Sequence, residues 1–341
     1  MIKAFFASKE WARWAYGIGA TLFGLLLVQV YIDVQFNTWY KEFYNIMQTA
    51  APGQGATLEQ FWSCLWKFGF LAMPYVWIWT FTNWLTKMYA LRWREAITFN
   101  YLPRWDGIDV QIEGASQRIQ QDTERFARIV ETLGLAIVRA IMTLVAFIPI
   151  LWGLSSMVDL PYLRDIPGSL MWLALVISIG GMIISWFVGW FLPGLEFNNQ
   201  KVEAAYRKQL VKAEDDLDVR ADMPSFFSLF TGVRKNSQRL YMHYGYFDLW
   251  AISYRQILTL LPYIIMGPGL FTGLILLGVL VQVSNAFGQV QSSFSLFIDR
   301  WRTITELRSI WRRLHQFEAM LEGKTPKMDL LSKVAAKVKE D

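Results

Sequence analysis

The sequence predicts an all-α, polytopic membrane protein with about six transmembrane helices and long cytoplasmic helical extensions. Three observations predict it. Of the 341 residues, 54% are hydrophobic and only 18% charged, too little charge to cover a soluble protein of this length. The mean hydropathy is positive, at +0.26. The cations are also sorted: 28 of the 33 Lys and Arg fall in residues 1–13, 87–128, 193–242 and 298–341, whereas the intervening loops hold only Lys41 and Arg164. Cytoplasmic loops carry the excess of Lys and Arg, so this asymmetry puts both termini in the cytoplasm.

The spans are taken in chain order. The first apolar run is 14–31, with Gly17, Gly19 and Gly24; no small-x-small cleavage site comes after it, so it reads as an uncleaved span. An aromatic and polar stretch, with a turn at Ala51-Pro-Gly-Gln-Gly55, leads to the second span, 61–88, which Pro74 is expected to kink. A long polar segment runs from Tyr89 to about Arg128. The third span, 129–151, contains Arg139 and is expected to end near Pro149. A short loop precedes the fourth, 169–192, and a second long polar segment runs to about His243. Spans five and six, 246–266 and 270–294, are expected to be joined by a tight turn at Gly267-Pro268-Gly269. About 20 apolar residues suffice to cross a hydrocarbon core about 30 Å thick. The chain divides into a transmembrane domain, 1–318, and a basic cytoplasmic tail, 319–341.

Composition also excludes chemistry. The one cysteine, Cys64, rules out an internal disulfide or a Cys-based metal cluster, and His243 and His315 have no ligand spacing around them. No metal or other cofactor is expected. There is no Gly-x4-Gly-Lys-Ser/Thr loop, so ATP hydrolysis by these residues is not expected. There is no His-Glu-x-x-His or Gly-x-Ser-x-Gly, and no enzyme activity is expected. The net charge of +5 is spread between hydrophobic runs, which fits membrane topology and not nucleic-acid binding.

The stretch from Leu192 to Asp216 is rich in helix formers after Pro193-Gly194. At about 100° per residue, Glu196, Glu203 and Glu214 share one face, and Arg207 joins it as the i,i+4 partner of Glu203. Leu195, Val202, Tyr206 and Ala213 form an apolar face; Lys201, Lys208 and Lys212 form a basic one. In the first polar segment Glu113, Glu124 and Glu131 align in the same way, with the spacing reversed. Two helices running in opposite directions would then present three matched levels of carboxylate to one cavity. Such groups are proton-coupling candidates, since burial and mutual repulsion favour proton uptake; a solvated acidic face is the plainer alternative. Arg118, Arg125, Arg128 and Arg207 are expected to pair with acids.

Arg139 and Arg255 lie within spans and are expected to face protein or water, with Glu131 or Asp248 as partners. Gln282, Asn285, Gln289, Ser292 and Ser293 share a face of span six, as a cavity lining or as helix-packing hydrogen bonds. The cavity-lining candidates are Arg139, Arg207, Gln282, Asn285, Gln289 and Ser292.

Several stretches carry a family resemblance: Trp39-Tyr-Lys-Glu-Phe-Tyr44, Leu91-Arg-Trp-Arg94, Ile112-Glu-Gly-Ala115, Gln121-Asp-Thr123, Ala140-Ile-Met-Thr-Leu144, Leu192-Pro-Gly-Leu-Glu-Phe197, Val202-Glu-Ala-Ala-Tyr-Arg-Lys208, Glu214-Asp-Asp216 and Asn285-Ala-Phe-Gly-Gln289. Across about residues 39–318 the chain resembles the SbmA/BacA family of bacterial inner-membrane peptide-antibiotic transporters. The resemblance implies a homodimer whose spans resemble the membrane domain of ATP-binding-cassette exporters without the ATPase domain. It implies a secondary active transporter, working as a proton-coupled importer of peptides and peptide-like compounds: proline-rich antimicrobial peptides, microcins and bleomycin-like glycopeptides. It also implies that Glu113, Glu131, Glu196, Glu203 and Glu214 carry the coupling, whereas Glu124 lies outside the family pattern. Longer family members carry an extra hydrophobic segment ahead of the first one here. The rival reading is a membrane subunit of an ATP-driven transporter, with Pro224-Ser-Phe-Phe-Ser-Leu-Phe230 able to dock a separate ATPase.

Overall fold

Apolar runs and helix-forming polar runs succeed one another here without breakers between them, so they join into continuous rods. The computed structural model describes residues 1–50, 55–107, 115–158, 165–215 and 223–322, and among them every regular element is helical. In chain order these are α1 (Ile2–Phe6), a π-helical turn (Arg13–Ile18) leading into α2 (Gly19–Gln48), α3 (Leu58–Asp106) and the three-residue α4 (Ala115–Gln117). A second π-helical stretch (Arg118–Asp122) leads into α5 (Thr123–Leu154); then come α6 (Ser169–Gly189), α7 (Leu192–Asp215), α8 (Met223–Phe271), α9 (Leu277–Asp299) and α10 (Trp301–Leu321). Among the described residues, four stretches are long and apolar enough to cross a membrane: Arg13–Gln48, Ala115–Met157, Ser169–Glu214 and Met223–Phe271. The expected second and sixth spans fall in α3 and α9, which are helical but outside that set.

The elements outrun the expected spans because nothing in the polar flanks stops a helix. α3 has 49 residues, or roughly 73 Å at 1.5 Å per residue, and carries the second span well into the first polar segment. It starts at a capping box: the Thr57 hydroxyl accepts from the Gln60 amide, and the Gln60 side chain accepts from the Thr57 amide. Two expected breaks are corrected. Pro149 lies inside α5, which runs on to Leu154. The turn expected at Gly267-Pro268-Gly269 lies inside α8, which ends at Phe271; the break comes after it, at Gly273, whose φ of +74° is left-handed. Pro268 forfeits only one amide donor, whereas a left-handed residue ends the ladder outright. The Ile275 amide then reaches back to the Gly269 carbonyl at 3.1 Å.

The chain forms two units, residues 1–147 with 299–341, and residues 148–298. In the first, Phe5 stacks on Trp93 with ring centroids 5.3 Å apart, and Phe126 meets Trp93 edge-on at 5.8 Å. Ile310, Leu314 and Phe317 of α10 complete this core. Asp122, only 2% exposed, accepts two hydrogen bonds from the Arg313 guanidinium at 2.8 and 2.9 Å, tying α10 to the π-helical stretch.

In the second unit α6 and α7 run antiparallel along α8, and the partners keep one register throughout. A Cβ on Gly181 would overlap the Tyr254 ring, the Ser185 hydroxyl accepts from the Trp250 indole at 2.9 Å, and Gly189 faces Phe247. Further along, Ser237 donates to Asn199 at 3.0 Å and Tyr206 meets Phe230 at 5.7 Å. Each step forward along α6 and α7 is matched by a step back along α8. The α6–α7 junction therefore leaves the pairing intact.

Candidate functional site

The first unit brings polar and charged side chains from three helices together. Arg139 on α5 donates from Nη2 to Asp33 Oδ2 at 3.0 Å and to the Tyr75 hydroxyl at 3.2 Å, and from Nη1 to Gln29 Oε1 at 3.2 Å. Gln29 donates in turn to Thr82 Oγ1 at 2.7 Å, and Thr82 donates to the Ile78 carbonyl at 2.7 Å. Gln29 and Asp33 lie one turn apart on α2, Tyr75 and Thr82 two turns apart on α3, so the cluster closes a three-helix contact. Arg139 is thus placed in a polar protein environment, as expected, but its partner is Asp33 and neither Glu131 nor Asp248. The reason is position: Glu131 is eight residues from Arg139 on the same helix, whereas α2 presents Asp33 directly across from it. Arg255 is exposed.

One more side chain belongs to this stripe. Asn37 is 3% exposed, and neither its amide nitrogen nor its carbonyl oxygen has a hydrogen-bond partner. It comes one helical turn after Asp33 on α2, so Gln29, Asp33 and Asn37 form a polar line. Leu26 and Val30, earlier on the same helix, pack on Met142 of α5.

The six acidic candidates separate into different environments. Glu131 is buried at 8% exposure and makes no hydrogen bond or ion pair among the described residues; Lys87 on α3 is the cation whose field reaches it. Glu124 pairs with Arg128 at 3.6 Å, both partly exposed. It lines an open cleft of about 560 Å³ with Arg94, Ser116, Gln117, Gln120 and Gln121. Arg125 pairs with Glu306 at 3.5 Å, and Arg118 lies over the Phe317 ring at 6.0 Å. Glu113 lies outside the described residues. Glu124 and Glu131 both lie on α5, seven residues apart and so on one face of it.

In the second unit α7 is one continuous helix that contains all three of its acids, as expected. Its three-way sorting also holds. Ala213 is buried and Tyr206 packs on Phe230 of α8, whereas Lys201, Lys208 and Lys212 are exposed. Glu196 accepts a hydrogen bond from the Tyr244 hydroxyl at 3.1 Å; Glu203 and Glu214 are exposed. Arg207, also exposed, makes no ion pair with Glu203, and in that the expected i,i+4 partnership is corrected. Water competes well for two exposed long side chains, so the pair gains little by forming. On α9, Gln282 is buried with Oε1 unpartnered, Asn285 and Gln289 are half-buried and Ser292 is exposed. The Ser292 and Ser293 hydroxyls turn back to the Gln289 carbonyl at 3.0 and 2.8 Å, an internal use of groups expected to line a cavity.

Asp33 and Asn37 are the residues that sequence reasoning missed. Both fall just past the end of the expected first span, in a stretch read as a loop. The signal available was the uninterrupted helix-compatible run from Gly19 to Gln48, which carries the helix past the apolar residues and through both positions.

Comparison with known proteins gives a consistent pattern. The sequence model of one family, described as the SbmA/BacA-like family, matches residues 8–322. An uncharacterized ABC transporter ATP-binding protein of Synechocystis is 24% identical over 339 residues, covering 94% of this chain and 48% of that protein. The inner membrane ABC transporter ATP-binding protein YddA of Escherichia coli is 28% identical over 322 residues, covering 88% of this chain and 56% of that protein. The chloroplastic ABC transporter D family member 2 of Arabidopsis thaliana is 26% identical over 319 residues, covering 89% and 43%. The chain spans about half the length of the curated relatives it matches.

Proposed function

The chain belongs to the SbmA/BacA-like family, and from that membership we propose that it is a membrane transporter, a proton-coupled importer of peptides and peptide-like compounds. Its cargo on this reading includes proline-rich antimicrobial peptides, microcins and bleomycin-like glycopeptides. It works as a multi-pass homodimer in the bacterial inner membrane, with both termini cytoplasmic, by alternating access. The observation that carries the proton coupling is Glu131. It is buried in one of the four strongly apolar stretches and has no ion pair among the described residues. Protonation there breaks no salt bridge, in contrast with Glu124, whose charge is engaged by Arg128. An ionisable side chain among apolar spans is a functional-site hypothesis by default. The exposed acids of α7, Glu203 and Glu214, supply a proton-accessible surface on the same reading.

The test is uptake of a fluorescent proline-rich peptide into proteoliposomes under an imposed inward proton gradient, comparing wild type, Glu131→Gln and Glu203→Gln. Gradient-dependent uptake in wild type and its loss in Glu131→Gln is the expected result. Uptake that survives gradient collapse overturns the coupling.

A second reading is favoured by a specific observation: the relatives are named as ABC transporter ATP-binding proteins and are about twice this chain's length. The chain then acts as the membrane half of an ATP-driven transporter, with an ATPase partner. Phe227 and Phe230 near the start of α8 are exposed and apolar, and suit such a contact. Stoichiometric copurification of an ATPase, and uptake only with ATP, decide for this reading.

A further inference from the structure

We propose that the Asp33–Arg139 pair, with Asn37, is a binding site for the C-terminal carboxylate of a peptide, held closed by an internal carboxylate. The inference rests on the peptide-transport reading above and assigns the substrate's terminus to a place in the fold. Three observations carry it. Arg139 presents a guanidinium from an apolar helix, and its side chain is 34% exposed while Asp33 is 14% exposed. The cation is therefore the more accessible partner of the pair. A guanidinium offers its donors in a planar fork that fits a carboxylate; here, among the described residues, Asp33 is the one charged acceptor, on Nη2 at 3.0 Å, beside the neutral acceptors Gln29 and Tyr75. The third observation is Asn37. A buried amide that lacks partners on both its donor and acceptor sides is costly to leave empty. Asn37 lies one turn beyond Asp33 on α2, and its amide has the donor and acceptor with which a peptide unit pairs.

The exchange balances in charge. A proton from the aqueous side binds Asp33 Oδ2, and the now neutral carboxyl releases Arg139 Nη2. The incoming peptide carboxylate takes up the same donor, so the cluster's net charge changes only by the proton and the peptide that arrive together. Gln29 Oε1 and the Tyr75 hydroxyl keep Arg139 in place throughout. The groups that reach Asp33 are Arg139 from α5 and Tyr75 from α3.

The experiment is equilibrium binding of a labelled proline-rich peptide, as free acid and as C-terminal amide, to the full chain in lipid nanodiscs between pH 5.5 and 8. No gradient is present, so the assay reads the site and not the coupling. Wild type is expected to bind the free acid at least about tenfold more tightly than the amide, with affinity rising as pH falls. Asp33→Asn is expected to bind the free acid tightly at every pH, and Arg139→Gln to lose the preference for the acid. Arg139→Lys, which keeps the charge and loses the fork, is expected to fall between; it guards against a variant that fails to fold. Equal affinity of acid and amide for wild type overturns the proposal, as does an unchanged preference in Arg139→Gln. Peptide binding with no preference leaves the transport reading standing and removes only this site; no peptide binding and no uptake removes both.

Discussion

Single side chains decide what the charged groups can do. Asp122 is almost fully buried, and its two hydrogen bonds to Arg313 are the polar tie between α10 and the π-helical stretch. Asp122→Asn removes the anion and leaves the guanidinium, whose side chain is 41% exposed and so regains water. The expected loss is about 2 kcal/mol, measured as a fall in thermal midpoint in detergent and apportioned by a double-mutant cycle with Arg313. Tyr101 offers a pH test. Burial first, then the Glu318 charge and the hydrogen bond to Glu318, hold its phenol above the usual 10.0. The folded chain keeps a proton that the unfolded chain loses near pH 10. That stability is fully present below pH 10 and is lost as pH rises above it. Thermal midpoints are expected to fall above pH 10, less steeply in Tyr101→Phe. At this scale the sequence was partly legible. Arg139 stood out as a charge in an apolar run and Glu131 as an acid at its edge, from composition alone. Asp33 did not stand out, because its partner is 106 residues away and no local pattern encodes that contact.

At the scale of elements, helix identity was legible and helix ends were not. Runs of apolar residues marked the spans, whereas the capping box at Thr57 and Gln60 that starts α3 was not read. Proline and glycine misled at Pro149 and at Gly267-Pro268-Gly269, where neighbouring helix formers keep the ladder going. The register between α6 and α8 was invisible, since it depends on which small residue meets which ring. It is testable at adjacent glycines. Gly181→Ala pushes a methyl group into the Tyr254 ring, whose hydroxyl is held by the Ile177 carbonyl at 2.7 Å and whose face stacks on Trp250. A loss of about 1–3 kcal/mol is expected in thermal unfolding. Gly180→Ala, with nothing within 4 Å of its new methyl group, is expected to be neutral or up to about 1 kcal/mol stabilising. Equal effects of the two would contradict the register.

For the whole molecule, composition and the sorting of Lys and Arg made the membrane class legible before any fold was in view, and the family match over residues 8–322 agrees with it. α7 carries its three acids on one helix and α5 carries Glu124 and Glu131, while Glu113 lies outside the described residues. The proposal divides the labour between two places. Glu131 is free of ion pairs among the described residues and suited to exchange a proton, and Asp33 and Arg139 form a pair that a peptide carboxylate can replace. The most direct measurement of proton coupling is interior pH in proteoliposomes loaded with a pH-sensitive dye, with no gradient imposed and peptide added outside. The account predicts acidification of the lumen that starts with peptide addition and is absent in Glu131→Gln. Peptide entry without acidification, or entry only when ATP and a partner are supplied, would contradict it.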